Sequence, residues 1–93
     1  MNLKITSVNI YLKENSRMKG LASVIIDDCF AVRDIRIIEG DNGLFVAMPS
    51  KKKADGEYKD IAHPITQECR KMFEDVILEA YNNEVKKEAL NID

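Results

Sequence analysis

Between Ile65 and Ala80 the apolar residues adopt a helical rhythm, and that stripe constrains the rest of the fold. Ile65, Cys69, Met72, Phe73, Val76 and Ala80 follow one another at intervals of 4, 3, 1, 3 and 4 residues. At 100° per residue they form a band about 80–100° wide, the face an amphipathic helix turns toward a core. Nothing else in the 93-residue chain repeats at this spacing. The cover must therefore come from one face of a β-sheet. The spacing predicts a helix over about 65–88. Pro64 stands just before it or at its first position, where a missing N–H costs nothing. Thr66 is a suitable N-cap, and Glu68 suits the positive end of the helix dipole. The polar end from Asn82 is expected to fray or project.

The preceding residues read as strands. Leu3, Ile5, Val8, Ile10 and Leu12 alternate with polar residues, and the phase slips by one at Thr6-Ser7. A slip flips the apolar set to the other face unless a β-bulge absorbs it, so a bulge is predicted there. Residues 13–19 are polar and read as a hairpin loop. Leu21–Ile26 is a second strand, closed by a tight turn at Asp27-Asp28. Phe30, Val32, Ile35 and Ile37 form a third, with another slip near Arg33-Asp34. Glu39-Gly40-Asp41-Asn42-Gly43 is the strongest turn signal, with Gly and Asn available for positive φ. Leu44–Met48 is a nearly continuous apolar run, which predicts a central strand covered on both faces and closed by Pro49. Residues 50–57 read as an exposed, mobile loop, and Tyr58–Ile61 as a short return strand. The expected fold is α+β: an antiparallel meander of about five strands packed against one long C-terminal helix, in a single domain over 1–93.

Composition narrows the class. A hydrophobic fraction of 45 % and a charged fraction of 32 % are globular values. A chain this short buries only about 60–65 % of the surface it exposes when unfolded, so self-association is a natural way to bury more. The net charge of −2 excludes a uniformly basic nucleic-acid binder. Cys29 and Cys69 lack CxxC spacing and a neighbouring His. They are read as reduced, half-buried small hydrophobes of a cytoplasmic protein. No apolar run is long enough to span a membrane.

Positive charge is nevertheless concentrated. Lys51, Lys52 and Lys53 form the densest cluster, and Arg70-Lys71 lies near the helix start, where cations and a helix N-terminus together suit a phosphate. Each has a plain alternative: a solvated loop for the lysines, and an exposed helix face with Glu74 pairing Arg70 at i+4. Arg33 and Arg36 point to opposite faces unless a bulge intervenes. His63, the one histidine, precedes Pro64 and suits a structural role at the helix entrance. Asp27, Asp28 and Asp60 read as turn formers rather than a cation site. No GxSxG, P-loop, HExxH or dinucleotide fingerprint occurs. The expectation is no enzyme, no cofactor and no metal.

Two segments resemble a known family. Gly43-Leu44-Phe45-Val46-Ala47-Met48-Pro49-Ser50-Lys51-Lys52 and Tyr58-Lys59-Asp60-Ile61-Ala62-His63-Pro64-Ile65 are similar to the signature of the septation protein SpoVG family (stage V sporulation protein G). Ile5-Thr6-Ser7-Val8, Lys19-Gly20-Leu21-Ala22 and Asp27–Ile38 extend the resemblance over roughly residues 2–85. It implies a small α+β homodimer that binds DNA and RNA and regulates septation, sporulation and gene expression in bacteria. It also implies contacts through basic residues around the helix and the loop, here Lys51, Lys52, Lys53, Arg70 and Lys71. Three Tyr, three Phe and no Trp favour backbone contact over stacking of single-stranded bases. The alternative is a protein-interaction module of the division or sporulation machinery that recognises no nucleic acid directly.

Overall fold

The structure is a computed structural model that describes residues 3–13 and 17–90. Among these residues, six strands precede one helix: β1 (Ile5–Leu12), β2 (Met18–Ile26), β3 (Phe30–Gly40), β4 (Gly43–Ala47), β5 (Ser50–Lys52), β6 (Tyr58–Asp60) and α1 (Gln67–Leu90). Strands β1 to β4 form an antiparallel meander in chain order, and β5 pairs with β6 in a separate two-stranded ribbon. The fold is α+β, with four strands in the main sheet instead of about five. The return strand at Tyr58 exists, but its partner is β5. Within the expected loop 50–57, Ser50–Lys52 is therefore strand. Residues 14–16 of the expected 13–19 loop lie outside the described residues, while Met18 and Lys19 already belong to β2.

Both predicted phase slips are bulges. On β1 the register shifts between Ile5 and Ser7, leaving Thr6 as the extra residue. Its hydroxyl donates to the Ile25 carbonyl (3.2 Å) and accepts from the Asp28 amide (3.0 Å). The bulge thus stitches β1 to the β2–β3 turn, where Asp27 and Asp28 take φ of 50° and 57°. Two successive positive φ values make the mirror-image turn that suits strand twist. On β3, Arg33 and Asp34 together stand opposite Ser23, with Asp34 at φ 60°. A short polar side chain tolerates that conformation. The bulge keeps Val32 and Ile35 on the core side. At the β3–β4 turn the positive φ belongs to Gly43 (117°), not to Asn42.

Ala22, Val24, Ile26, Ile35, Ile37, Val46 and Met48 form the sheet's contribution to the core, and Phe73 and Ile77 the helix's. Helix α1 lies against β4 and β1, and among the described residues no polar side chain is buried. Thr66 caps it as expected, its hydroxyl accepting from the Cys69 amide (3.1 Å). The predicted stripe needs rotation. Ile65 is 88 % exposed and precedes the cap, so it never joins the helical phase. The true centre is Phe73–Ile77, flanked by Cys69, Met72, Leu78 and Tyr81. Helix α1 stays helical to Leu90, with its last residues exposed.

The described residues cover the main sheet on one face only. Strand β4 is an edge strand, not the doubly covered central strand its apolar run suggests. Val46 and Met48 point into the core, while Phe45 points away from it. Cys69 is half-buried as read, whereas Cys29 is exposed beside the β2–β3 turn; both are free thiols.

Ile77→Ala should destabilise the domain by about 2–5 kcal/mol, since a fully buried side chain leaves a cavity under the helix. Thr66→Ala should cost about 1 kcal/mol. Urea unfolding followed by circular dichroism measures both.

Candidate nucleic-acid interface

The β5–β6 ribbon is an arm set apart from the core. Every residue from Lys51 to His63 is exposed. The arm is held by its own ladder. Register pairs Ser50 with Asp60, Lys51 with Lys59, and Lys52 with Tyr58. The Ile61 amide donates to the Pro49 carbonyl at the root (2.8 Å), and the Lys53 amide to the Glu57 carbonyl near the tip (2.7 Å). The tip turns at Gly56, φ 91°, and the Asp55 carboxylate accepts from the Glu57 amide (3.0 Å). At the root, Arg36 of β3 donates to the Ser50 hydroxyl (3.1 Å), which ties the arm to the sheet.

Pairing sorts the lysines by side. Residues directly opposite in an antiparallel ribbon share a face, and alternate residues along a strand return to it. Lys51 and Lys59 therefore stand side by side on one face, and Lys53 follows Lys51 by alternation. Lys52 falls on the other face with Tyr58. All four lysines border one depression, together with Asp60 and Ile61. Lys53 has a carboxylate 3.8 Å away, that of Asp55. Among the described residues no ion pair reaches Lys51, Lys52 or Lys59. Like charges directly opposite on a ribbon destabilise it. The ribbon keeps this unfavourable pair where an anion would relieve it. Local sequence does not single out Lys59, because only the register makes it the partner of Lys51.

The helix start is a separate feature. Arg70 and Lys71 are exposed in the first turns of α1 and do not line the arm's depression. Lys71 binds Asp75 at i+4 (2.9 Å), so its ammonium is already matched. That hydrogen bond, and then the charge of Asp75, raise its pKa above the ordinary lysine value. Among the described residues no ion pair joins Arg70 to Glu74, the partner the spacing suggests. Arg70 is the better placed of the two for an external anion. The bulge at Arg33-Asp34 removes the expected opposition of Arg33 and Arg36. Arg33 borders a depression with Asn9, Tyr11, Leu21, Ser23 and Asp34, on the face that also carries Arg36.

Among the described residues, no three His, Cys, Asp or Glu side chains are grouped to hold a metal ion. Asp27 and Asp28 form the β2–β3 turn, Asp60 lies on the arm, and His63 Nδ1 lies 3.0 Å from the Pro64 carbonyl at the helix entrance. No described helix is long and apolar enough to cross a membrane.

Residues 3–83 match the family model for SpoVG. This chain belongs to the SpoVG family. It is 51 % identical over 84 residues to a protein of Bdellovibrio bacteriovorus, covering 90 % of this chain and 78 % of that one. It is 50 % identical over 88 residues to one of Acholeplasma laidlawii, covering 94 % of each. It is 52 % identical over 80 residues to one of Caldicellulosiruptor saccharolyticus, covering 85 % of this chain and 91 % of that one. All three are septation proteins SpoVG by name. The matched region of this SpoVG-family chain includes the whole arm and the first turns of α1.

Lys59→Glu replaces a repulsive cross-strand pair with an attractive one. Amide hydrogen exchange in the arm should slow by up to about fivefold, the equivalent of the ~0.2–1 kcal/mol such pairs contribute. The same substitution should weaken binding of a polyanion such as heparin.

Proposed function

We propose that this SpoVG-family chain is a nucleic-acid-binding regulator that works as a homodimer and meets phosphate backbones through the β5–β6 arm. The observation that carries this reading is the exposed Lys51–Lys59 cross-strand pair, with Lys53 on the same side. A two-stranded ribbon is narrow enough to enter a major groove, and lysine contacts a phosphate as a point charge. Arg70 adds a separate cationic site near a helix N-terminus. Two arms in a dimer supply a footprint that one chain at net charge −2 lacks. The names of the relatives extend the proposal to septation, and the family resemblance adds sporulation and gene expression. The reading is one of backbone contact. Cytoplasmic placement belongs to the same proposal, since that is where such a regulator meets nucleic acid.

Fluorescence anisotropy with duplex DNA, single-stranded DNA and RNA across a salt series tests this. Affinity should fall steeply with salt. Lys51→Ala/Lys59→Ala should reduce the slope of log K against log salt by about 2 per copy engaged on a duplex, because each phosphate contact contributes ~0.9. Arg70→Ala should reduce it by about 1. Binding of all three nucleic acids that these substitutions leave unchanged would reject the arm as the interface. No binding even at low salt would favour the protein-interaction module instead.

A further inference from the structure

The two edges of the main sheet are built differently. Strand β4 spans five residues, is followed by Pro49 and leads into the arm. Strand β1 spans eight, Ile5–Leu12, and holds neither a proline nor a charged residue, two common means of blunting an edge. Its bulge lies near one end, and from Ser7 to Leu12 it runs in regular register with β2. The Lys13 amide donates to the Lys19 carbonyl (3.0 Å), continuing the register that pairs Leu12 with Gly20. Bonding alternates along an antiparallel strand, so Tyr11, Asn9 and Ser7 also bond β2. The N–H and C=O groups of Val8, Ile10 and Leu12 therefore point away from the sheet, and among the described residues no strand pairs with them. A groove runs beside Val8–Tyr11. Its far wall is the second half of α1, with Ala80, Asn83, Glu84 and Lys87.

We propose that this edge docks an extended segment of a different protein, acidic at its ends, which joins the sheet as a fifth strand beside α1. The proposal is independent of nucleic-acid binding by the arm. Two observations select the occupant. The first is the pattern of hydrogen-bonding groups. Val8, Ile10 and Leu12 offer alternating donors and acceptors at a repeat of about 6.8 Å, which an extended polypeptide main chain matches. A phosphate backbone supplies acceptors only. The second is charge. Lys4 and Lys13 flank β1 and are exposed, and Lys87 is exposed on the wall of the groove. Among the described residues no ion pair reaches any of the three, and the groove sets one carboxylate, Glu84, against them. A second copy brings the same positive excess to this edge. The complement is a chain with carboxylates at the ends of its strand.

In an added antiparallel strand, residues opposite Val8, Ile10 and Leu12 share their face and lean toward α1. Val8 and Ile10 already pack against the core there, and Ala80, a small residue, leaves room over them. The docked segment thus carries apolar side chains at every second position. Its remaining side chains lie on the opposite sheet face with Asn9 and Tyr11.

Residue-resolved amide exchange of the full chain, with anisotropy of a labelled probe, tests the proposal. The probe is a peptide of alternating valine and threonine with aspartates at both ends. In the free protein the amides of Val8, Ile10 and Leu12 should exchange fast, and those of Ser7, Asn9 and Tyr11 slowly. Saturating peptide should protect the first set. N-methylation of the peptide's central residues should weaken binding by about 30-fold or more, since two or more main-chain bonds are lost. Lys13→Glu/Lys87→Glu alters exposed side chains only, and should weaken binding by about 5–10-fold. It should favour the same peptide ending in lysines. Four outcomes would overturn the proposal: slow exchange of Val8, Ile10 and Leu12 in the free protein, which means a second copy already holds the edge; no peptide binding; peptide binding that survives N-methylation; or protection of the same amides by a DNA duplex, which makes the edge a nucleic-acid contact.

Discussion

The burial of Phe73 and Ile77 in one cluster with Ile35, Ile37 and Val24 fixes the architecture. Burying each large apolar side chain contributes roughly 1.5–3 kcal/mol, and a chain this small has few such contacts. One helix can cover only one face of a four-stranded sheet. Everything distinctive about the rest of the molecule follows from that asymmetry. The far face keeps its aliphatic centre in water, and the chain between β4 and α1 has no core of its own to join. It forms a ribbon held by backbone pairing and by the bond from Arg36 to Ser50.

The ribbon sets two kinds of surface back to back. Alternation along β5 and β6 puts Lys51 and Lys59 on one side and Tyr58 on the other. The lysine side carries mutual repulsion, and the tyrosine side leaves an aromatic ring in water. Neither is favourable for an isolated chain. A phosphate backbone along the lysine side would relieve the repulsion there.

The bulges are legible in the sequence because a phase slip in a period-two pattern has few physical solutions. At Thr6 the slip also explains itself, because the freed side chain clamps the β2–β3 turn. The run Leu44–Met48 misleads for the opposite reason. A continuous apolar stretch marks two apolar environments, and here the second is the uncovered face bearing Phe45 rather than a second layer of protein. Ile65 misleads the helical phase because it stands before the cap, while Val76-Ile77-Leu78 is apolar at every position and leaves the phase open. Of the candidate cations, the run 51–53 is visible as local density. Its division between two faces is not, and spacing alone does not choose between the i+4 pairs Arg70–Glu74 and Lys71–Asp75, of which the structure forms the second.

By itself the sequence determined the elements: strands from period-two alternation, turns from Asp, Asn and Gly, and a capped helix from Thr66 and the stripe that follows. These are local properties, set by backbone sterics and by side-chain spacing along a single stretch of chain. Only the tertiary structure decided which strands are neighbours, that β4 is an edge, that β5 and β6 leave the sheet, and that Lys59 stands opposite Lys51. Those depend on register between residues distant in sequence, and register is settled by the burial of one shared core.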